Sequence, residues 1–276
     1  MAEHFLFRAG SARLAGKVSE IFRPNGSVSR ISELLVYVAW VIVAVVLWMT
    51  IKIPFVPQLQ DVLATFPDLW ARQGLAYYAL LSTRLNVEAL VISTVLSLGI
   101  CYLYPLSAAR PVIAFVAKLR FLGLSSLFVF LIMLLGANHK TKLIMLVFWE
   151  TVFFVTSMRD VVHSIPKERY DHARTQGMSE WRAIYDVVVL GTFDQALDIM
   201  RSVAAIGWGM VPMVESVVQS EGGLGIMLLR QNKHFKLEEL VAISIVIVVI
   251  GILTDSAIKL LKRLVCRHAE LRLERR

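Results

Sequence analysis

Two glutamates stand inside apolar stretches of the sequence, where an ionisable side chain is rare. Glu150 lies about halfway along the stretch 143–158, and Glu215 lies near the end of the stretch 202–218. A carboxylate at such a depth normally faces the protein interior or a water-filled cavity, where it can bind a proton or a cation. For Glu150, a structural role as a hydrogen-bonded tie between helices is equally open. The position of Glu215 near an end favours the structural role.

A strongly polar stretch, residues 166–184, separates two of the apolar ones. Proline is tolerated in a first helical turn, and Glu168 suits the positive end of a helix dipole. Gly177 can adopt the backbone angles that end a helix, and Ser179 can cap the next one. We therefore predict a helix, a glycine break and a second helix.

The apolar and small residues of this polar stretch share one face if the helical period continues through the break. The charged residues lie largely off that face, so the sequence predicts an amphipathic element beside a membrane. The predicted stripe consists of Tyr170, Ala173, Gly177, Trp181 and Ile184.

Catalytic and cofactor sites find little support in the sequence. The six histidines are scattered, with no H-E-x-x-H motif and no i, i+4 pair that could hold a metal on one helix face. The glycine-rich run 222–225 lacks the lysine that follows in a phosphate-binding loop, so we expect a turn. Cys101 and Cys266 form no C-x-x-C motif. The chain is predicted not to be an enzyme and to bind no metal or cofactor itself.

The composition is that of an integral membrane protein. Of the 276 residues, 57% are hydrophobic and 18% are charged, and the mean hydropathy is +0.65. The partner that this predicts is the lipid bilayer. The formal charge is +8, but the basic residues lie at the ends of apolar runs and not among aromatic residues. Nucleic acid is therefore not an expected partner.

Six apolar stretches are predicted to be transmembrane helices. The third begins at Phe121, because Lys118 and Arg120 would each cost a few kcal/mol near the bilayer centre. Residues 54–85 are predicted to form a loop with an interfacial segment. Residues 1–33 are predicted to form either an amphipathic surface helix or a partly disordered tail. The six stretches are residues 34–53, 87–109, 121–137, 143–158, 202–218 and 240–258.

Basic residues indicate which side of the membrane each segment occupies. With the N-terminus inside, 21 of the 29 Lys and Arg residues fall on inside segments, as the positive-inside rule requires. Both termini and the polar stretch are then cytoplasmic, although Lys140 and Lys142 count against this locally. The N-terminal residues lack the features of a signal peptide, so we expect the first apolar run to be retained as an anchor.

The sequence shows no internal repeat and no separate soluble domain, so we predict one membrane domain over residues 1–276. Within it we expect a cytoplasmic N-terminal segment, a first span with an outer loop, a core, and a basic cytoplasmic tail. These parts are residues 1–33, 34–85, 86–262 and 263–276.

Two segments carry a resemblance to a known family. The string IPKERYDHARTQGMSEWRAIYDVVVLG, residues 165–191, resembles the cytoplasmic loop of bacterial ABC-importer permeases, in which Glu-Ala-Ala is followed by three residues and a glycine. Asp171, His172 and Ala173 stand at the Glu-Ala-Ala positions, and Gly177 stands at the glycine. The string VPMVESVVQSEGGLGIML, residues 211–228, is similar to a Glu and Gly-Leu-Gly segment in the nitrate, sulfonate and taurine branch.

The resemblance covers residues 75–268 and includes Thr254 and Asp255 before the basic tail. Two departures are visible in the loop. His172 replaces a small residue, and Leu190 with Gly191 occupies the place where the family has a proline. We expect the end of the loop to differ from the family pattern.

The resemblance implies an all-α type I importer bundle of about six transmembrane helices, with a cytoplasmic coupling helix between spans four and five. It implies a bacterial inner-membrane permease that assembles with a second permease copy, expected as a homodimer. It further implies separate ABC ATPase subunits, which bind the ATP and Mg. A periplasmic or lipid-anchored binding protein would deliver a small solute of the nitrate, sulfonate or taurine class.

The resemblance also assigns roles to residues. It implies an ATPase contact at the coupling helix, a translocation pathway, and an outer gate or binding-protein face. The ATPase contact is expected at Tyr170, Asp171, His172, Ala173, Gly177, Trp181 and Ile184. The pathway candidates are Glu150, Trp208 and Glu215, and the gate candidates are Gly222, Gly223, Leu224 and Gly225. The alternative function is a stand-alone secondary transporter or channel that uses Glu150 as an ion or proton site.

Overall fold

The structure is a computed structural model that describes residues 30–50, 56–122 and 124–266. The predictions for residues 1–29 and for the tail after residue 266 lie outside these residues. Where the chain is described, its regular structure is helical. In chain order the helices are α1 (Arg30–Thr50), α2 (Leu59–Ala71), α3 (Leu75–Cys101), α4 (Arg110–Lys118), α5 (Leu124–Leu135), α6 (His139–His163), α7 (Lys167–Thr175), α8 (Glu180–Ile184), α9 (Phe193–Val217), α10 (Leu224–Lys233) and α11 (Leu237–Val265).

Five helices among the described residues are long and apolar enough to cross a membrane: α1, α3, α6, α9 and α11. The prediction of an all-helical membrane protein is therefore confirmed. Two shorter pieces interrupt the α-helices, a 3₁₀ turn at Leu119–Phe121 and a π-helix at Tyr185–Leu190.

The chain divides into two compact units, Met1–Asp61 and Val62–Arg276. In the first unit the indole Nε1 of Trp48 donates to the carbonyl of Pro57 at 3.0 Å. The bond ties the end of α1 to the residues that follow it. The smaller subdivisions of the sequence stay predictions.

The core of the second unit forms where α3, α6 and α9 pack together. One buried apolar cluster includes Phe154 and Met158 in the second half of α6 and Val203 in α9. Another includes Met145 in the first half of α6 and Val211 in α9. These clusters are the main apolar contribution to the stability of the unit.

The second span begins well before the position that the sequence predicted. Helix α3 starts at Leu75, so the predicted loop 54–85 is wrong: it contains helix α2 and the first turns of α3. Hydropathy missed these turns because α3 carries polar residues that face the protein. Ser82 and Asn86 are both buried, where lipid does not meet them.

The predicted third span, residues 121–137, is represented by α5, which has only 12 residues. A helix rises about 1.5 Å per residue, so α5 is about 18 Å long, shorter than a bilayer core. Leu122 is extended, and Gly136 has a φ of +78°. These backbone conformations limit the helix on either side.

Helices α9 and α11 are joined by polar side chains along their length. Arg201 pairs with Asp255, and Lys262 contacts Asp198 at 2.5 Å. The indole Nε1 of Trp208 donates to the hydroxyl of Thr254 at 3.1 Å. Arg201, Asp255, Lys262 and Asp198 are tolerated in two otherwise apolar helices because these four charges form two pairs.

Candidate functional site

The polar stretch forms the predicted helix, glycine break and helix. Helix α7 is followed by Gly177, whose φ of +76° lies in the left-handed region that favours glycine. Ser179 occupies the N-cap position of α8, but its side chain makes no capping hydrogen bond. We refer to α7 and α8, with the turn between them, as the α7–α8 pair.

Arg174 of α7 joins the two helices of the pair through hydrogen bonds to Glu180 of α8. The guanidinium of Arg174 donates to both carboxylate oxygens of Glu180, at 2.8 and 3.0 Å, and to Asp171 at 3.1 Å. These bonds hold the pKa of Glu180 below its ordinary value and raise the pKa of Arg174. The bidentate geometry fixes the angle across the turn.

The predicted stripe is divided between the interior and the surface. Tyr170 and Ile184 pack against the buried cluster around Phe154, and Ala173 is buried. Burial raises the pKa of Tyr170. Trp181, in contrast, is 66% exposed. The stripe therefore anchors the pair to the bundle and leaves one large aromatic residue on the surface.

Two recesses flank the pair. A cavity of about 710 Å³ is lined by Tyr170, Trp181 and Ile184. Tyr104 from the α3–α4 connection and Arg110, the first residue of α4, also line it. A groove of about 430 Å³ on another side is lined by residues that include His172, Gln176 and Gly191. Both recesses present polar and apolar atoms together, which is typical of protein interfaces.

The end of the loop has an unusual shape where the family has a proline. The π-helix Tyr185–Leu190 is followed directly by Gly191. A Cβ atom on Gly191 would meet the carbonyl oxygen of Val187, so a larger residue does not fit there. The expectation that the loop end at Leu190 and Gly191 differs from the family pattern stays a prediction.

Glu150 lies in a buried polar cluster between α3, α6 and α9. Its Oε2 accepts a hydrogen bond from Ser93 at 2.7 Å. Its Oε1 has no hydrogen-bond partner among the described residues, and the same is true of both side-chain atoms of Asn86. A Cβ atom on Gly207 would lie 2.5 Å from Asn86 Oδ1 and 2.6 Å from Glu150 Oε1. The glycine leaves room for two unpartnered oxygens to converge.

Glu215 has a different environment near the opposite end of the bundle from the α7–α8 pair. Its Oε1 accepts from the hydroxyl of Ser82 at 2.7 Å, and its Oε2 accepts from the backbone N–H of Gly225 at 2.8 Å. The Ser82 oxygen in turn accepts from the N–H of Leu224 at 2.9 Å. Glu215 thereby holds the first turn of α10, where a negative charge is favourable.

The glycine-rich run is shaped by its contact with Glu215. Gly223 has a φ of +138°, and a Cβ there would overlap the Glu215 carboxylate. A Cβ on Gly225 would overlap the backbone of Pro212. Gly223, Leu224 and Gly225 are buried, and Gly222 is partly exposed. The run is therefore mostly an interior element.

The loop before α10 is also tied to the start of α6. The ammonium of Lys142 donates to the carbonyls of Ser220 and Gly222. The two ring nitrogens of His139 lie 3.1 Å from Glu88 and 3.1 Å from Glu221. These contacts surround a cavity of about 230 Å³ that Glu215 and Arg84 also line.

Residues 12–267 match the family model described as "binding-protein-dependent transport system inner membrane component". The chain belongs to this family. The permease is thus a membrane component of an ABC importer and is not itself an ATPase. No curated protein matches the permease chain.

The three pathway candidates of the permease lie in three separate environments. Glu150 belongs to the polar cluster, Glu215 to the α10 contact, and Trp208 to the α9–α11 interface. Ser82, Asn86 and Ser93 were missed as site residues. Their spacing of four and seven residues places them on one helix face, and this signal was available in the sequence.

Proposed function

We propose that the permease couples solute transport to ATP hydrolysis through the α7–α8 pair, which binds a groove on a separate ATPase subunit. The observation that carries this proposal is the exposed Trp181. It lies on a helix pair that Arg174 and Glu180 hold together and whose other face packs on the bundle core. An aromatic residue on a rigid support is a typical anchor of a protein interface. The partner subunits hold the ATP and Mg.

The connections of the pair support a mechanical role. Helix α7 follows α6 after a short link, and α8 continues through the π-helix into α9. Tyr170 and Ile184 add side-chain contacts to the same core. A displacement of the pair is therefore transmitted to α6 and α9 together. ATP-driven closure of the partners would shift the bundle between inward-open and outward-open states.

We place the α7–α8 pair and both chain termini in the cytoplasm, and the permease in the bacterial inner membrane. The distribution of Lys and Arg supports this orientation. Lys142, which opposed it, uses its charge in hydrogen bonds to two loop carbonyls.

The other expected partners fit a two-fold assembly. We propose that two copies of the permease form the translocation pathway between them, as a homodimer. A periplasmic or lipid-anchored binding protein would dock at the opposite end from the pair. Because Gly223 and Leu224 are buried, the docking surface would use the exposed Glu221. The similarity of residues 211–228 to the nitrate, sulfonate and taurine branch supports a small solute of that class.

Co-purification of an ATP-binding subunit tests the coupling proposal. The tagged permease, purified from its native host, should retain an ATPase, and Trp181→Glu or Gly177→Trp should lose most of it. Trp70→Glu is the matched control, because Trp70 is 63% exposed but lies in α2. Retention of the ATPase by both pair variants, with unchanged uptake, would show that the pair is not the coupling element.

The stand-alone transporter or channel is not supported by the family match. Its one specific observation is the unpartnered Oε1 of Glu150. Solute flux by the purified permease without any ATPase would restore that alternative.

A further inference from the structure

We propose that a cavity at the start of α4 binds the phosphate headgroup of an anionic phospholipid. The cavity has a volume of about 360 Å³. It combines two guanidinium groups with a histidine and a tyrosine, and its lining contains no carboxylate among the described residues. The lining residues are Tyr104, Arg110, Pro111, Ala114, Arg159 and His163.

Arg110 is positioned but not neutralised. Its Nε donates a long hydrogen bond, 3.4 Å, to the carbonyl of Tyr104. Its guanidinium carbon lies 5.7 Å from the centroid of the Tyr104 ring. No ion pair with Arg110 occurs among the residues that the structure describes. Its remaining N–H groups are free to meet a phosphate, for which the guanidinium fork is well matched.

Arg159 and His163 supply further donors from the end of α6. The Nε and Nη2 atoms of Arg159 contact a single oxygen of Asp160, at 3.2 and 3.0 Å, which leaves its Nη1 edge for a ligand. The Tyr104 hydroxyl lies 3.1 Å from His163 Nδ1. When that hydroxyl donates, the neutral ring carries its proton on Nε2, where it can donate to an anion.

The surface beside the cavity indicates a lipid and not a soluble anion. Helix α4 buries Ile113 and Ala117 against the bundle and exposes Val112 and Phe115. Phe115 lies one helical turn from Pro111 of the cavity, on the same side of the helix. The permease is a multi-pass membrane protein, so an acyl chain can lie on Phe115 while its headgroup enters the cavity.

The neighbouring cavity beside the α7–α8 pair explains why the headgroup is placed at α4. That larger cavity shares Tyr104, Arg110 and His163, but Asp171 and Glu180 also line it. Arg174 lines that cavity as well, but its guanidinium is already bonded to both carboxylates and is not free for a phosphate. The bound lipid would therefore occupy the carboxylate-free cavity and contact the bundle beside the pair.

Native mass spectrometry of the assembled transporter in mild detergent tests this site. The probes are phosphatidylglycerol, which is anionic, and phosphatidylcholine, which has no net charge, each added at the same concentration. We expect phosphatidylglycerol to be retained in preference, and each of Arg110→Gln and Arg159→Gln to weaken its retention about fivefold. Arg110→Lys should keep most of the binding, because it keeps the charge. Lys259→Gln, an exposed residue of α11, is the control and should change nothing.

Three results would overturn the proposal. Equal retention of the two lipids would remove the requirement for an anionic headgroup. Displacement of phosphatidylglycerol by inorganic phosphate at equal concentration would show that a soluble anion is the ligand. Unchanged lipid retention with loss of the ATPase in Arg110→Gln would assign the cluster to a protein interface. Thermal unfolding of each variant identifies those that fail to fold. If Arg110→Gln does not fold, the test uses lipid retention by Arg110→Lys and by the wild type. The comparison of the two lipids does not depend on whether the α7–α8 pair contacts the ATPase.

Discussion

The two buried glutamates of the permease differ in how many of their carboxylate oxygens accept hydrogen bonds. Glu150 and Glu215 are each 1% exposed, and each accepts a hydrogen bond from a serine of α3. The second oxygen of Glu215 accepts the N–H of Gly225. The second oxygen of Glu150 has no such partner in the described part of the chain.

This difference separates a structural carboxylate from one with spare hydrogen-bonding capacity. Glu215 connects α9 to α3 and to the first turn of α10, so its polar atoms are committed to the fold. Glu150 lies between the two apolar clusters of α6, beside Asn86. The Asn86 amide likewise has no hydrogen-bond partner among the described residues. Unpaired buried groups are costly and are commonly found at functional positions. We therefore expect Glu215 to act on stability and Glu150 to act on transport.

The largest effect is expected for Glu215→Ala. The substitution leaves the Ser82 hydroxyl, the Gly225 N–H and the nearby Lys142 ammonium without the carboxylate. Loss of one partner of a buried charged contact typically costs about 3 kcal/mol. The transition in thermal unfolding of the detergent-solubilised permease should fall by several degrees.

Glu215→Gln is the matched variant, because the amide oxygen can still accept one of the two bonds. It should destabilise less than Glu215→Ala. If both variants unfold like the wild type, Glu215 is not the tie that holds α10.

Gly207→Ala tests how closely the side chains around Glu150 are packed. The added Cβ would lie 2.5 and 2.6 Å from the oxygens of Asn86 and Glu150, so both side chains must move. Overpacking of this kind costs about 1–3 kcal/mol. Gly209→Ala is the control, because its Cβ would meet nothing within 4 Å, and alanine favours a helix. Equal unfolding temperatures for the two variants would argue against a packed polar cluster at Gly207.

Glu150→Gln should change stability less than Glu215→Ala does and change transport more. The amide keeps an acceptor for Ser93 and removes the cost of a buried acid, so unfolding should shift by less than about 1 kcal/mol. ATP-dependent uptake by cells that carry the variant measures the transport effect. Parallel losses of uptake and stability would assign Glu150 to the structural class of Glu215.

The smallest effect is expected for the exposed Arg174–Glu180 pair, which joins α7 to α8. The fold lowers the pKa of Glu180, so its stabilisation is present above the unfolded pKa and is lost as pH falls through the folded pKa. A pair of spin labels on α7 and α8 should report a broader distance distribution in acid, and high salt should have a similar effect. In Arg174→Gln the broadening should already be present at neutral pH. A distribution that is identical in all these conditions would show that the Arg174–Glu180 bonds do not hold the two helices at a fixed angle.

Local signals explain what the sequence could predict. The helix–glycine–helix was predictable because Pro166 and Gly177 act on their own backbone. Ser179 takes the predicted N-cap position but does not make the capping hydrogen bond. The start of α3 was not predictable by hydropathy, because Ser82 and Asn86 are polar yet buried. The short length of α5 was missed for a different reason. The stretch 121–137 is apolar enough for a full span, but α5 covers only 12 of its residues.

The contacts of the candidate site depended on tertiary structure. The sequence grouped Ala173, Ile184 and Trp181 on one stripe. It could not show that Ala173 and Ile184 face the bundle while Trp181 is exposed. The run 222–225 was predicted to be a turn, but Leu224 and Gly225 already belong to helix α10. The burial of Gly223 and Gly225 against Glu215 and Pro212 depends on α9. Lys142 looked like an exception to the topology because its loop carbonyl partners lie far along the chain.

The most direct test of the coupling role is photo-crosslinking from position 181 in membranes of the native host. With a photoreactive phenylalanine analogue in place of Trp181, we predict a crosslinked product that contains the permease and a subunit that binds ATP. The same analogue at Trp70 should give no such product. A product at position 70 alone, or lipid adducts alone at position 181, would contradict the proposal that the α7–α8 pair contacts the ATPase.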